Sequence, residues 1–221
     1  MMKEFNTEFL HAYFICGSQD VPKGKTLPGI VAEALAAGIT AFQFRDKGPN
    51  STLSKAERLP MAQKLHQLCQ SYQVPFFIDD DVQLAQQVHA EGVHVGQSDE
   101  EIRQVIKEVG EQMIIGYSCS NSTQVEQANK ISGIDYYGSG PIYATQSKSD
   151  ADPEIGITGL AQLVKNATRP IVAIGGITVN DLEAIAKTKA AGAAVISMIA
   201  QSNDIKQTVS QMLTAPWMKN D

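Results

Sequence analysis

Phe42-Gln-Phe-Arg-Asp-Lys47 is the stretch whose reading decides the fold. A strand sends successive side chains to opposite faces, so Phe42 and Phe44 share one face while Gln43, Arg45 and Lys47 share the other. The residues before it, from Thr40, are apolar or small, and the charge arrives only at the carboxyl end. A parallel strand buried on both faces reads as an apolar run, and its polar carboxyl end is where β/α barrels carry their chemistry.

The same pattern recurs along the chain. Apolar runs rich in Ile, Val, Phe and Tyr predict strands at 12–17, 40–45, 75–80, 92–97, 113–118, 135–140, 170–175 and 194–199. Amphipathic stretches between them predict helices, among them 27–37, 53–72, 82–90, 122–131 and 179–188. Several follow Ser, Asn or Asp, the residues that cap a helix N-terminus. Regular β-then-α alternation implies a parallel sheet with right-handed crossovers, and eight units is the number that closes a (β/α)8 TIM barrel. An open doubly wound sheet is the competing α/β architecture, but it would gather polar residues at one crevice. Here nearly every strand ends in them, so the barrel is preferred. With no low-complexity linker or composition shift, residues 1–221 read as one domain. The long polar break 146–153 reads as an active-site loop after strand six.

Composition narrows the function. Eighteen Lys and Arg against 24 Asp and Glu give a formal charge of −6, and no basic run tracks a phosphate backbone. Nucleic-acid binding therefore has little support, and any anionic ligand must be held by local cations, backbone amides or a metal. Cys16, Cys69 and Cys119 are widely spaced, with no CxxC pair and no nearby His cluster, which argues against zinc or a disulfide framework. They read as small buried hydrophobes. Neither a signal peptide nor an apolar stretch of bilayer-crossing length is present, so a cytoplasmic protein without a membrane partner is expected. The oligomeric state stays open, a homo-oligomer included.

Two cations and an amide on one strand face, Gln43, Arg45 and Lys47, suit a phosphate or diphosphate; a solvated strand end is the plain alternative. Asp79, Asp80 and Asp81 follow the next apolar run. Adjacent carboxylates repel unless a cation or strong donors are present, and hard oxygen ligands suit magnesium. Asp81 alone also reads as a helix cap. Asp99 gains interest only by pairing with Asp80 across the barrel mouth. Ser118 ends strand five without a recognisable base beside it, so hydrogen bonding is favoured over nucleophilic catalysis. Tyr143-Ala-Thr-Gln-Ser-Lys148 enters the long loop, where Thr145, Ser147 and Lys148 fit a lid over an anionic substrate. Gly175-Gly176 after strand seven, and Ile196-Ser-Met-Ile-Ala200 at the end of strand eight, stand where such barrels cradle phosphate. His11, His66 and His89 read as surface or partly packed, His94 as a satisfied core histidine, and Trp217 as packing a terminal tail.

In this order, Gln43-Phe-Arg-Asp-Lys47, Asp80 with Asp99, Gly138-Ser-Gly-Pro-Ile-Tyr143, Thr145 with Lys148, and Ala173-Ile-Gly-Gly-Ile-Thr178 resemble the thiamine phosphate synthase family, across almost the whole chain. The resemblance implies that Gln43, Arg45 and Lys47 contact a pyrimidine diphosphate, with Ser118 and Lys148 assisting. It implies Mg2+ on Asp80 and Asp99, and a thiazole phosphate received by Thr145, Gly176 and the backbone near Ile199 and Ala200. Asp79 stands where the family usually has Asn, adding negative charge near the diphosphate. Ser120 replaces a usual His, Ala144 a usual Pro, and Ala200 a small hydroxyl residue.

Two other readings compete. A related thiazole tautomerase shares the fold but relies on a His two residues past the strand-five serine, where this chain has Ser120. A non-catalytic phosphate-ligand binding barrel is the other, kept open by Asp79.

Overall fold

The computed structural model describes residues 3–48, 50–98, 100–145 and 153–217. Eight parallel strands close into a barrel in sequential order: β1 (Ala12–Cys16), β2 (Ala41–Phe44), β3 (Phe76–Asp79), β4 (Gly92–Val95), β5 (Ile114–Ser118), β6 (Tyr136–Ser139), β7 (Ile171–Ile174) and β8 (Gly192–Val195), with β8 pairing back on β1. The helices between and after them are α1 (Leu27–Ala37), α2 (Lys55–Ser71), α3 (Val82–Val88), α4 (Ile102–Val109), α5 (Ser122–Ala128), α6 (Gly156–Asn166), α7 (Leu182–Lys187), α8 (Ser197–Ala200) and α9 (Ile205–Thr214). The expected (β/α)8 TIM barrel is the observed fold. No described helix is long and apolar enough to cross a membrane.

Period-two alternation divides the apolar residues into two layers. Outward-facing Phe14, Phe42 and Phe76 stack in a row across three strands, at centroid separations of 5.6 and 6.0 Å, beneath the helices. Inward-facing Tyr13, Phe77 and Tyr136 fill the barrel, with Tyr13–Phe77 at 5.4 Å and Phe77–Tyr136 at 6.1 Å. Such large rings fit because small residues face them. A Cβ built on Gly116 would lie 2.3 Å from the Tyr136 ring and 2.4 Å from His94 Nδ1. Gly116→Ala is therefore expected to destabilise the barrel by about 1–3 kcal/mol through overpacking. At roughly 2–4 °C per kcal/mol for a chain of this size, a melting curve resolves that change. An unchanged Tm would show that the interior has slack.

Caps place the helix starts. The side chains of Thr26, Asp81, Asn121 and Asp204 accept from the backbone N–H of Gly29, Leu84, Gln124 and Gln207. The capping reading of Asp81 holds. Boundaries shift where capping outranks hydrophobicity: α2 starts at Lys55 because Ser54 and Glu57 form a capping box, and α3 stops at Val88 because His89 turns left-handed at φ 55°. The helix expected over 179–188 opens instead with a 3-10 turn, Val179–Asp181, before α7.

One strand needs correction. The strand expected over 194–199 spans Gly192–Val195, and Ser197–Ala200 is a helical turn. A short apolar run fits a buried strand and a buried helix equally well. The three cysteines are free and buried, as read. Trp217 packs the tail, its Nε1–H donating to the Met212 carbonyl at 2.7 Å.

Candidate active site

The carboxyl ends of the strands surround a cavity of about 330 Å³, within the size range of small-molecule sites. Gln43, Arg45, Lys47, Asp79, His94, Gln97, Ser118, Tyr136, Thr145, Gly176, Ile196 and Ser197 are among the residues lining it. Six elements of the barrel thus deliver polar groups to one place that the sequence spreads over 150 positions or more.

Strand β2 contributes the cationic edge. Gln43 is 2 % exposed and its Nε2–H donates to Tyr13 Oη at 2.8 Å, so the amide is held rigidly at the cavity floor. Arg45 Nε lies 3.3 Å from Asp79 Oδ2, and Lys47 Nζ lies 3.8 Å from the same oxygen while also bonding the Asp80 carboxylate. Between them Asp46 points away and is buried. It accepts from the Ser18 backbone N–H at 2.9 Å and from the hydroxyls of Ser18 and Ser51, each at 2.5 Å. That network ties the β1–α1 segment to the β2–α2 segment, and so fixes the direction in which Arg45 and Lys47 leave the strand.

Asp80 is at the rim rather than in the cavity wall. Its backbone N–H donates to the His94 carbonyl at 2.8 Å, and its φ of 61° is left-handed, a conformation Asp and Asn tolerate better than most residues. The sharp turn aims its carboxylate at Lys47. A carboxylate at this rim offers the hard oxygen donor that Mg2+ takes alongside waters and phosphate oxygens. Among the described residues, no three His, Cys, Asp or Glu side chains group as a metal cage. That is compatible with magnesium, which commonly uses one or two carboxylates. Asp99, Gln146, Ser147 and Lys148 lie outside the described residues.

Ser118 has a neighbour that sequence reading missed. His94 Nε2 is 3.0 Å from Ser118 Oγ, and His94 Nδ1 is 3.1 Å from Tyr136 Oη. Tyr136 Oη is in turn 3.0 Å from Tyr13 Oη. A continuous chain of hydrogen bonds therefore runs Gln43–Tyr13–Tyr136–His94–Ser118, across five strands. His94 is a satisfied histidine, as expected, but it lines the cavity instead of the core. The missed signal was register: His94 pairs with Gly116 across β4 and β5, which puts Ser118 one diagonal step away. The pair is not a catalytic triad, since the third member is a phenol rather than a carboxylate. Burial pushes the Tyr136 phenol well above its ordinary value, so it stays protonated. Hydrogen bonding remains the role that fits Ser118.

The opposite wall is backbone. Gly175 and Gly176 have φ of 98° and 65°, and a Cβ on Gly176 would meet the Ala144 carbonyl oxygen at 2.5 Å. Only glycine lets the two loops close up beside Thr145. Ile199 and Ala200 are fully buried in α8; the residues of that turn that reach the cavity are Ile196 and Ser197.

A model of the family described as thiamine monophosphate synthase matches residues 12–199. Thiamine-phosphate synthase of Lactiplantibacillus plantarum is 55 % identical, over 97 % of this chain and 98 % of its own. That of Levilactobacillus brevis is 50 % identical, over 97 % and 99 %. Among solved structures, thiamine phosphate pyrophosphorylase from Pyrococcus furiosus superposes with a TM-score of 0.79 at 28 % identity, covering 94 % of this chain and 96 % of that one. Sequence, coverage and fold agree, and the chain belongs to the thiamine monophosphate synthase family.

Proposed function

We propose that this protein is a thiamine-phosphate synthase, a transferase that joins hydroxymethylpyrimidine diphosphate to hydroxyethylthiazole phosphate and releases pyrophosphate. The observation that carries the reading is the convergence of Gln43, Arg45 and Lys47 on one cavity wall, facing Thr145 and the Gly175-Gly176 turn on another. One wall suits a diphosphate, the other a single phosphate.

The chemistry follows from charge. The aminopyrimidine donates electrons toward its own CH2 group as the C–O bond breaks, and the diphosphate leaves with the bonding pair. The thiazole nitrogen then supplies the pair that forms the new C–N bond. Arg45 and Lys47, with Lys148 from the long loop, stabilise charge growing on the leaving group, which is the largest contribution such a site makes. Asp80 and Asp99 would hold Mg2+, which when bound neutralises diphosphate oxygens. Gln43 and Ser118 orient the pyrimidine, and Asp79 sits beside the diphosphate. Thr145 and Ser147, Gly176 and the backbone approaching Ile199 and Ala200 receive the thiazole phosphate. Prepositioning two reactants replaces an improbable encounter by a near-unimolecular step. Both substrates are small molecules, and the reading makes this a cytoplasmic enzyme.

Pyrophosphate release tests the reading, with both substrates present and with magnesium or a chelator. Release that requires magnesium supports it; saturable binding of thiazole phosphate without release sinks it. The hydrogen-bond chain adds a prediction. Tyr136→Phe leaves both Tyr13 and His94 short of a partner, and loosens Ser118 at the far end. KM for the pyrimidine diphosphate is expected to rise about tenfold, the scale of one lost hydrogen bond, with a smaller change in kcat. Unchanged kinetics would mean that the chain does not position Ser118.

A further inference from the structure

The cationic wall of the cavity already contains an anion of its own. Strand register makes this unavoidable: Gln43 pairs with Phe77 and Phe44 with Ile78, so the next step along both strands sets Arg45 opposite Asp79. The two side chains are 11 % and 10 % exposed, and Asp79 Oδ2 lies within 4 Å of both Arg45 Nε and Lys47 Nζ. Lys47 also bonds Asp80. Arg45 and Lys47 against Asp79 and Asp80 sum to zero formal charge, on a wall read as binding a diphosphate. The remainder of a chain with net charge −6 does not tip that balance toward anions.

We propose that Asp79 is a resident counter-ion: it holds Arg45 and Lys47 when the cavity is empty and competes with diphosphate groups for them, so that inorganic pyrophosphate leaves readily after reaction. The inference rests on the reading of this wall as the diphosphate end of a synthase site. Its logic is that of product release. A diphosphate gripped equally before and after bond cleavage gains nothing for kcat, and slow departure of product then limits turnover. A partly buried carboxylate facing the same two cations weakens that grip in every state. It also gives Arg45, in a poorly hydrated position, a close carboxylate partner in the empty enzyme.

Asp79→Asn separates charge from shape, because the amide is nearly the same size and keeps an oxygen that can accept from Arg45 Nε. The experiment is calorimetric titration of inorganic pyrophosphate into the wild-type protein and the variant at one fixed magnesium concentration, without either substrate. Removing a like charge a few ångströms from a bound anion is expected to tighten pyrophosphate binding about 10- to 100-fold. Product inhibition in turnover should strengthen in parallel. Asp79→Ser, which also removes the charge but holds Arg45 less well, should tighten binding in the same direction by less, and melting curves confirm that each variant is folded. Pyrophosphate binding to folded Asp79→Asn that is equal to or weaker than wild type overturns the counter-ion role and leaves the synthase reading intact. Absence of pyrophosphate binding in both the wild type and folded Asp79→Asn overturns the diphosphate assignment, and this inference with it.

Discussion

Arg45→Ala is expected to lower kcat/KM for pyrophosphate release by about 10²- to 10³-fold, the scale on which one preorganised charge-stabilising group acts. Two losses coincide. The guanidinium that would meet the departing diphosphate disappears, and Asp79 loses the closer of the two cations beside it among the described residues. The second loss shifts the sum over Arg45, Lys47, Asp79 and Asp80 from zero to −1, which makes this wall repulsive toward anions. Arg45→Lys restores charge without the planar fork, and recovers only part of the activity if geometry matters as well as charge. Steady-state kinetics on both variants decides. A decrease of less than about threefold in Arg45→Ala would remove Arg45 from the machinery.

If Asp80 holds magnesium as proposed, Asp80→Asn should cost a similar order, about 10²-fold at limiting magnesium, because the substitution deletes an anionic oxygen donor from the metal. Asn is the informative choice. The residue occupies a left-handed φ of 61°, which Asn tolerates at lower cost than Ala, so the backbone turn survives and only the ligand changes. The magnesium concentration giving half-maximal rate should rise about tenfold or more, as when a site loses a charged ligand. A magnesium titration of the variant superimposing on that of the wild type would exclude Asp80 as a metal ligand. It would then be read as a partner that merely holds Lys47.

Much of this was legible from the sequence, and the reasons are physical. Eight apolar runs announced eight strands because a parallel sheet is buried on both faces. Alternation in 42–47 placed Gln43, Arg45 and Lys47 on one wall because a strand has no other way to arrange its side chains. What failed depended on neighbours. Ile196-Ser-Met-Ile-Ala200 looked like a strand end and is a helical turn, since four or five apolar residues carry no decisive period. Ser118 was read as lacking a base, yet His94, 24 residues away, approaches within 3.0 Å once β4 and β5 pair. Asp79 could be read as a metal ligand or a liability until its register with Arg45 was seen. Local pattern shows which face a residue occupies; only the closed sheet shows what stands opposite.

The most direct test of the account counts both products from the same reaction. Purified protein is given magnesium and the two substrates, together and singly, and thiamine phosphate and pyrophosphate are quantified by chromatography. A synthase gives both products in equal amounts, only when both substrates are present. Pyrophosphate without thiamine phosphate, or neither product despite saturable binding of the thiazole phosphate, would contradict it.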